Sequence, residues 1–351
     1  MSRPASAKPG VLVTRAIFPE VLAQLGEHFE VESNPSDAVW SPTELAARLA
    51  GKVGAFMTGT ERVDAQLLSQ CPGLRICANM TVGYNNFDLA AMSAAGVLGT
   101  NAPDVLTETT ADFGFALLLA TARRLSESEH FLRSGQWNRW SYDMFAGAEV
   151  HGSTLGIVGM GRIGQAIARR AVHGFGMQVV YHNRSRLDAQ TEAALQARYL
   201  GKDELLRTAD HVMLVVPYSA ASHHLIGEAE LARMKPTATL INIARGGVVD
   251  DAALAAALRG RRISAAGLDV FEGEPVVHPQ LLELTNVVLT PHIASATMKT
   301  RRAMAALAVD NLVGYLLHGK PVTPLNLEVQ QGMHRAPGTS WSDGKSEPGV
   351  R

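Results

Sequence analysis

A short apolar segment, a glycine-rich turn and a helical pattern follow one another between residues 154 and 171. The glycines permit a tight bend, bring the backbone close to a pyrophosphate and let helix and strand pack together. The helix N-terminus adds free N–H groups and a positive dipole end. A purely structural glycine turn is the alternative, but this order of elements favours a dinucleotide-binding loop. Its residues are Gly159, Met160, Gly161, Arg162, Ile163 and Gly164.

Residues 154–290 predict six strands separated by helical patterns, as a doubly wound parallel sheet requires. The expected strands are Leu155–Val158, Gln178–Tyr181, His211–Val216, Thr239–Ile243, Ala265–Leu268 and Val287–Leu289. Residues 11–100 predict a smaller α/β unit. Its expected strands are Val11–Val13, Val53–Met57 and Leu74–Ala78, with helices over Pro42–Ala50 and Asp64–Gln70.

Two long helical patterns and a polar tail complete the chain. Glu108–Gly135, rich in Ala and Leu, predicts one long helix that bridges two domains. A second helix is expected over Ala296–His318. The residues from Gln331 onward are rich in Gly, Ser, Pro and charge, so we expect them to be disordered.

Composition excludes several classes of partner. With a net charge of -1 in 351 residues, the chain has no basic excess for nucleic acid or an anionic membrane. The two cysteines, Cys71 and Cys77, suit a reducing compartment and predict no metal site. The longest apolar run, Phe113–Ala122, is too short to span a bilayer. Arg15 and Glu20 interrupt the N-terminal pattern, so no signal peptide is indicated and we expect a cytoplasmic protein.

Three chemically active side chains follow the ends of predicted strands. Arg245 comes after Thr239–Ile243, Glu274 follows the fifth strand and His292 the sixth. Ligands of a parallel sheet bind beyond these carboxyl ends. Histidine is a natural proton donor near neutral pH, a carboxylate stabilises its imidazolium, and arginine can bind a substrate carboxylate and polarise a carbonyl group. The set therefore suits carbonyl reduction, although each residue alone also fits a solvated or structural role.

The second predicted strand ends without the acidic residue that accepts hydrogen bonds from the ribose 2′-hydroxyl of NAD. Two arginines and a serine follow it, and no carboxylate appears until Asp188. Such groups bind a 2′-phosphate through charge-assisted hydrogen bonds, so we expect NADPH to be preferred and NADH to be weaker. A solvated basic loop is the alternative. The residues concerned are Asn183, Arg184, Ser185 and Arg186.

Four ordered motifs resemble signatures of the D-isomer-specific 2-hydroxyacid dehydrogenases. They are Val82–Asp88, Ile241–Asp250, Gly267–Pro275 and Pro291–Thr297. Together with the glycine loop they make the resemblance specific over roughly residues 10–328. Within the family the chain is most similar to bacterial glyoxylate/hydroxypyruvate reductases that also reduce 2-keto-D-gluconate, whose Val-Leu-Thr-Glu-Thr stretch is present as Val105–Thr109.

The resemblance implies roles for individual residues. Arg245 binds and polarises the 2-oxoacid, His292 donates the proton and Glu274 holds His292, while the backbone N–H groups of Val82 and Gly83 bind the substrate carboxylate. The residues implied along the cofactor are Thr110, Pro217, Ala244, Asp269 and Ser295.

The resemblance also implies a homodimer in which Trp140 reaches the substrate pocket of the partner subunit. One departure from the family is Ala294, where the motif usually has glycine. Because that methyl group would lie near the nicotinamide, it would alter the fit of the cofactor slightly.

The implied fold is α/β with two domains, a Rossmann doubly wound parallel sheet and a smaller flavodoxin-like substrate domain. The substrate domain is discontinuous, over residues 1–107 and 296–330, the NAD(P)-binding domain covers 108–295, and 331–351 form the tail. The expected activity is NADPH-preferring reduction of glyoxylate, hydroxypyruvate or 2-keto-D-gluconate. Another D-2-hydroxyacid dehydrogenase activity and a nucleotide-sensing, corepressor-like binding protein remain as alternatives.

Overall fold

A computed structural model describes residues 7–329 of the chain. Contacts divide the protein into two compact units. Unit 1 combines the residues up to Ala102 with those from Met304 onward, and unit 2 covers Pro103–Ala303. The predicted tail, 331–351, lies outside the described residues.

Unit 1 contains a five-stranded, all-parallel sheet with the order β2-β1-β3-β4-β5. This order is that of flavodoxin-like folds and confirms the predicted class. The strands are β1 Gly10–Val13, β2 Glu30–Glu32, β3 Gly54–Met57, β4 Ile76–Asn79 and β5 Leu98–Thr100. The helices between them are α1 Pro19–His28, α2 Pro42–Leu49, α3 Ala65–Gln70 and α4 Leu89–Ala94. Ser41, Asp64 and Asp88 start the last three by accepting a hydrogen bond from the first turn.

Unit 2 contains a seven-stranded, all-parallel sheet with the order β12-β11-β10-β9-β6-β7-β8. Chain order runs outward in opposite directions from β6, so the sheet is doubly wound as predicted, with its switch point between β6 and β9. The strands are β6 Thr154–Val158, β7 Gln178–His182, β8 Ala197–Tyr199, β9 His211–Leu214, β10 Thr239–Asn242, β11 Ala265–Leu268 and β12 Val287–Leu289.

Helices flank the strands of unit 2. They are α5 Thr107–Ala122, α6 Leu125–Arg133, α7 Arg162–Phe175, α8 Ala189–Leu195, α9 Lys202–Thr208, α10 Glu228–Leu231, α11 Asp251–Arg259 and α12 Pro279–Leu282. The long helix α13, Met298–His318, begins in this unit and continues into unit 1. Within residues 7–329, no helix combines the length and apolarity needed to cross a bilayer.

The prediction of one helix over Glu108–Gly135 was wrong. The helix breaks at Arg124, whose φ of 53° is left-handed, and both resulting helices lie in unit 2. The chain returns at Gly147, where an added Cβ would overlap the Ala122 carbonyl, and Ala148 donates its N–H to that carbonyl at 2.9 Å. The break is therefore imposed by a distant segment, since the local sequence has no glycine or proline there.

Three short strands were not predicted, namely β2, β5 and β8. Each has three residues, and β2 and β8 carry charged side chains. These strands are too short for a periodic pattern, and their neighbours in the sheet stabilise them.

Candidate active site

The glycine turn has the geometry that a dinucleotide needs. Gly159 has a φ of 104°, and an added Cβ would lie 2.7 Å from the Val215 carbonyl. Gly164 packs so closely on the Gly159 carbonyl that a Cβ would overlap it. Gly161 faces open space, and α7 begins directly after it with no side-chain cap. Free N–H groups at a helix end with room in front of them fit a pyrophosphate.

The segment after β7 lies beside this turn. Asn183 accepts the N–H of Met160 at 2.6 Å, so the residue holds the glycine turn in place. Arg186 donates through Nε and Nη2 to both carboxylate oxygens of Glu192, at 2.8 and 2.7 Å. Arg184 is exposed, and no residue in the described part of the chain forms an ion pair with it. The two arginines expected to act alike therefore differ in their surroundings.

The predicted histidine and glutamate form a hydrogen-bonded pair. His292 Nδ1 lies 2.7 Å from one carboxylate oxygen of Glu274, and the Phe271 N–H donates to the other at 2.9 Å. Burial alone would raise the pKa of Glu274, but the hydrogen bond from His292 and the charges of His292 and Arg245 lower it below its usual value. The carboxylate is thus ionised, and the Nε2 atom of His292 has no hydrogen-bond partner among the described residues.

Arg245 is placed by the turn that follows β10. Asn242 accepts the Ala244 N–H at 3.0 Å, and Arg245 Nη1 donates to the Ala244 carbonyl at 2.6 Å. Burial lowers the pKa of Arg245 while the charge of Glu274 opposes this, and an arginine remains charged at neutral pH. The next residue, Gly246, packs directly on the Phe271 carbonyl, where a Cβ would overlap it. This close approach brings the arginine turn against the loop that carries Glu274.

Asp269 holds the backbone that carries His292. It is fully buried at the end of β11, and its carboxylate accepts hydrogen bonds from the Thr290 hydroxyl and from the N–H groups of Ile293 and Ala294, each at 2.8 Å. Burial raises the pKa of Asp269 above its usual value. The observed role of this residue is thus to fix the histidine loop, and its expected contact with the nicotinamide amide stays a prediction. The methyl group of Ala294 is buried in the same loop.

The other residues expected along the cofactor lie in unit 2 as well. Thr110 is 5% exposed, and its hydroxyl has no hydrogen-bond partner among the described residues, which is unusual for a buried polar atom unless a ligand satisfies it. Pro217 follows β9, Ala244 follows β10 and Ser295 follows the histidine loop. The glycine turn and this orphan hydroxyl both fit a bound dinucleotide.

Val82 and Gly83 belong to unit 1, in the loop after β4. Their carbonyl groups accept side-chain hydrogen bonds from Asn101 at 2.7 Å and from Thr81 at 2.8 Å. Their N–H groups have no acceptor in the described ranges. This arrangement leaves two adjacent donors available for an anion.

Sequence reasoning missed several residues that position this site. Asp251 accepts the Glu272 N–H at 3.0 Å and so anchors the loop of Glu274. Asn242 shapes the arginine turn, and Glu192 binds Arg186. Asp251 follows the helix-capping Asp250, so two consecutive acidic residues at this helix start were the one available signal.

Comparison with known proteins defines the class. Residues 115–294 match the family described as D-isomer specific 2-hydroxyacid dehydrogenase, NAD binding domain. A glyoxylate reductase of Thermococcus gammatolerans is 48% identical over 327 residues, which cover 92% of this chain and 97% of that protein. A glyoxylate/hydroxypyruvate reductase B of Klebsiella pneumoniae is 46% identical over 313 residues, covering 88% and 95%.

A solved structure agrees with these relatives. The NADPH-dependent glyoxylate/hydroxypyruvate reductase of Sinorhizobium meliloti, in complex with NADP and malonate, superposes with a TM-score of 0.81 at 36% identity, over 91% of this chain and 97% of that one. The chain belongs to the D-isomer-specific 2-hydroxyacid dehydrogenase family. It is an oxidoreductase with the nicotinamide-dinucleotide-binding domain of that family.

Proposed function

We propose that this enzyme reduces small 2-oxoacids, above all glyoxylate and hydroxypyruvate, to 2-hydroxyacids of D configuration, with NADPH as its preferred cofactor. The observation that carries the proposal is the Glu274–His292 pair, whose loop packs against the turn of Arg245. The relatives named above are a glyoxylate reductase and two glyoxylate/hydroxypyruvate reductases, and 2-keto-D-gluconate is a further candidate substrate.

The chemistry follows from which atoms are free. A bound reduced nicotinamide would supply hydride to the carbonyl carbon of the substrate. Arg245 binds the 2-oxoacid and polarises its carbonyl group through paired, charge-assisted hydrogen bonds. His292, held through Nδ1 by Glu274, gives the proton on Nε2 to the carbonyl oxygen, which becomes the product hydroxyl. The neutral imidazole then takes up a proton from solvent, and the Glu274 carboxylate stabilises its charged form.

Backbone N–H groups also enter this proposal. The N–H groups of Val82 and Gly83 bind the substrate carboxylate, and the backbone of α7 at Gly161 binds the pyrophosphate. Thr110, Pro217, Ala244, Asp269 and Ser295 are proposed to contact the rest of the cofactor.

The choice of NADPH rests on the segment after β7. Residues 182–187 contain no carboxylate, and Asp188 caps α8 by accepting the Thr191 N–H at 2.8 Å, so it is already engaged. Arg184, Ser185 and Arg186 are exposed and supply guanidinium and hydroxyl donors for a 2′-phosphate. NADH, which lacks that phosphate, is expected to be the weaker cofactor.

A substrate panel tests the proposal. Glyoxylate, hydroxypyruvate, 2-keto-D-gluconate and pyruvate are each assayed with NADPH and with NADH, and kcat/KM is compared. We expect the highest values for glyoxylate or hydroxypyruvate with NADPH. Preference for another 2-oxoacid would identify a different dehydrogenase of the family. Dinucleotide binding without turnover of any substrate would instead favour the corepressor-like alternative.

We further propose a homodimer in which Trp140 completes the partner's substrate pocket. Trp140 is 76% exposed and Trp137 is 55% exposed, which is costly for aromatic side chains in a monomer. An apolar groove of about 650 Å³ lies in the same region, and its apolar lining is Leu125, Phe131, Leu132, Trp137, Met144 and Phe145. Sedimentation that shows a fully active monomer would contradict this. The cytoplasmic location remains a prediction from the cysteine content.

A further inference from the structure

Arg186 is bound by the buried carboxylate of Glu192, which is in turn bound by the buried hydroxyl of Tyr181. Glu192, only 9% exposed, accepts both guanidinium hydrogen bonds and also the hydroxyl hydrogen bond of Tyr181 at 2.6 Å. Tyr181 is itself fully buried, and its oxygen accepts the Leu187 N–H at 2.8 Å. The segment after β7 is thereby tied to α8 through one carboxylate.

This arrangement fixes the plane of the guanidinium group. The bidentate pair uses the Nε–H and one N–H of Nη2. The other N–H groups of the guanidinium are therefore held in a fixed orientation. Arg186 is still 66% exposed at its side chain, and these donors therefore face solvent. Glu192 also offsets the positive charge of Arg186, whereas Arg184 keeps its own. Arg186 thus offers hydrogen-bond donors in a fixed orientation, and Arg184 contributes the positive charge that no carboxylate offsets.

We propose that Glu192 is a positioning residue for cofactor choice, which aims Arg186 at the 2′-phosphate while Tyr181 keeps the carboxylate in place. This inference rests on the proposed NADPH preference.

Glu192→Gln tests the proposal, since it keeps one acceptor and removes the bidentate ion pair. We expect the KM for NADPH to rise about 5- to 10-fold, with kcat unchanged and with NADH kinetics unchanged within about twofold. Tyr181→Phe should act in the same direction with a smaller rise. The control is Glu230→Gln, which removes a comparable carboxylate that binds Lys202 at 3.0 Å and should alter neither cofactor.

The outcomes are distinguishable. Equal losses for both cofactors, or an unchanged KM for NADPH in both folded variants, would overturn the positioning role alone. A wild-type enzyme that prefers NADH would overturn the proposed function, and the positioning role with it. Should Glu192→Gln fail to fold, as judged by circular dichroism, Tyr181→Phe decides the question by the same KM comparison.

A second cluster, independent of the first, consists of His223 and His224 after β9 and Glu272 after β11. The rings of His223 and His224 stack with centroids 3.9 Å apart, and His224 Nε2 is 3.1 Å from each carboxylate oxygen of Glu272. One potential ligand atom of each residue lies within 4.8 Å of the others. Among the described residues, this is the group whose side chains meet the spacing for a shared metal ion.

The outer partners of the two rings favour metal binding. The Tyr218 hydroxyl is 3.1 Å from His223 Nδ1, and Asp250 lies 3.8 Å from His224 Nδ1. The hydrogen bond at Nδ1 of His223 leaves its Nε2 as a ligand atom, whereas the Asp250 carboxylate lies beyond hydrogen-bond distance of His224 and contributes only a nearby negative charge. The backbone of His224 is also fixed, with a φ of 48° and an N–H that donates to the Gly247 carbonyl at 2.7 Å.

We propose that His223, His224 and Glu272 bind one divalent transition-metal ion. Two imidazole nitrogens and one carboxylate oxygen are a donor set that zinc accepts, with water in the fourth position. The sequence prediction of no metal site was drawn from the two cysteines, and adjacent histidines with a glutamate 48 positions away match no ligand spacing that would have indicated this cluster.

Isothermal titration with ZnCl₂ at neutral pH tests this on the full chain, together with the absorption spectrum of bound Co²⁺. We expect one ion per chain, with affinity lowered about tenfold or more in His223→Ala and in Glu272→Gln. The control is His130→Ala, because His130 sits 3.9 Å from Glu129 without a third ligand, and this variant should bind like wild type. No binding by wild type, or equal binding by all variants, would overturn the site.

Discussion

Two carboxylates in unit 2 each bind a side chain that is proposed to be functional, but they do so differently. Glu274 accepts one hydrogen bond from His292, at 2.7 Å, and its other oxygen is held by a backbone N–H. Glu192 accepts two from Arg186, and a buried tyrosine hydroxyl donates to the same carboxylate. The first arrangement leaves a single ring nitrogen aimed outward, whereas the second fixes the plane of a whole guanidinium group.

The difference reflects the tasks proposed for the two sites. Transfer of one proton requires one aligned atom and a neighbouring negative charge that stabilises the imidazolium. Recognition of a phosphate requires several donors in a fixed plane. A carboxylate therefore acts mainly through its charge in the first site and mainly through its geometry in the second.

The largest expected effect is at His292, the proposed proton donor. His292→Gln should lower kcat by about 10²- to 10⁴-fold, because no group remains that protonates the developing alkoxide. NADPH binding, followed by fluorescence titration, should be unchanged. Near-normal turnover in this variant would show that another residue donates the proton.

The next effect concerns the arginines. Changing Arg184 and Arg186 together to Ala should weaken NADPH by roughly 2–4 kcal/mol and leave NADH almost unaffected. Of the single variants, Arg184→Ala should show the greater salt-dependent loss, since Glu192 offsets the charge of Arg186. Equal losses for both cofactors would mean that the arginines support the fold only.

Glu274→Gln isolates the effect of charge at the proton donor. The amide can still bind the ring, but the imidazolium loses its stabilising charge, so the pH–rate profile should shift toward acid. At neutral pH we expect kcat/KM to fall about tenfold. A profile that keeps its position would show that Glu274 acts by geometry alone, as Glu192 is proposed to do.

The smallest effect on turnover is expected at Asp251, a buried carboxyl that anchors the loop of Glu274. Burial raises the pKa of Asp251 to about 6, so its protonated form is favoured in the fold. Protonated Asp251 therefore contributes its full stabilisation of the fold below pH 3.8, the ordinary pKa of the group. This contribution is lost as the pH rises through about 6. Asp251→Asn should therefore increase the free energy of unfolding by about 1–3 kcal/mol at pH 7.5 and by little at pH 4. Denaturant titration at the two pH values measures this, and the reverse trend would contradict the assignment.

The sequence was sufficient for the parts that depend on local pattern. Buried apolar runs separated by helical patterns predicted the parallel sheet of unit 2 and a smaller α/β unit before it, and the glycine spacing predicted the turn before α7. The carboxyl ends of parallel strands lie at the same edge of a sheet. The positions of Arg245, Glu274 and His292 after their strands therefore predicted that these side chains lie near one another. The family motifs implied a pairing of Glu274 with His292, and the structure shows the hydrogen bond between them.

Tertiary structure decided what depends on distant partners. The break at Arg124 is imposed by residues 147–148, and no local signal marks it. The hydrogen bonds from the Ile293 and Ala294 N–H groups to the Asp269 carboxylate were not predicted, and the expected contact of Asp269 with the cofactor stays a prediction. The partner of Arg186 lies on a following helix, and a sequence motif does not specify which carboxylate a guanidinium group meets. Periodicity and turn chemistry act over a few residues, whereas burial and hydrogen-bond pairing are settled only when the packed chain brings separate segments together.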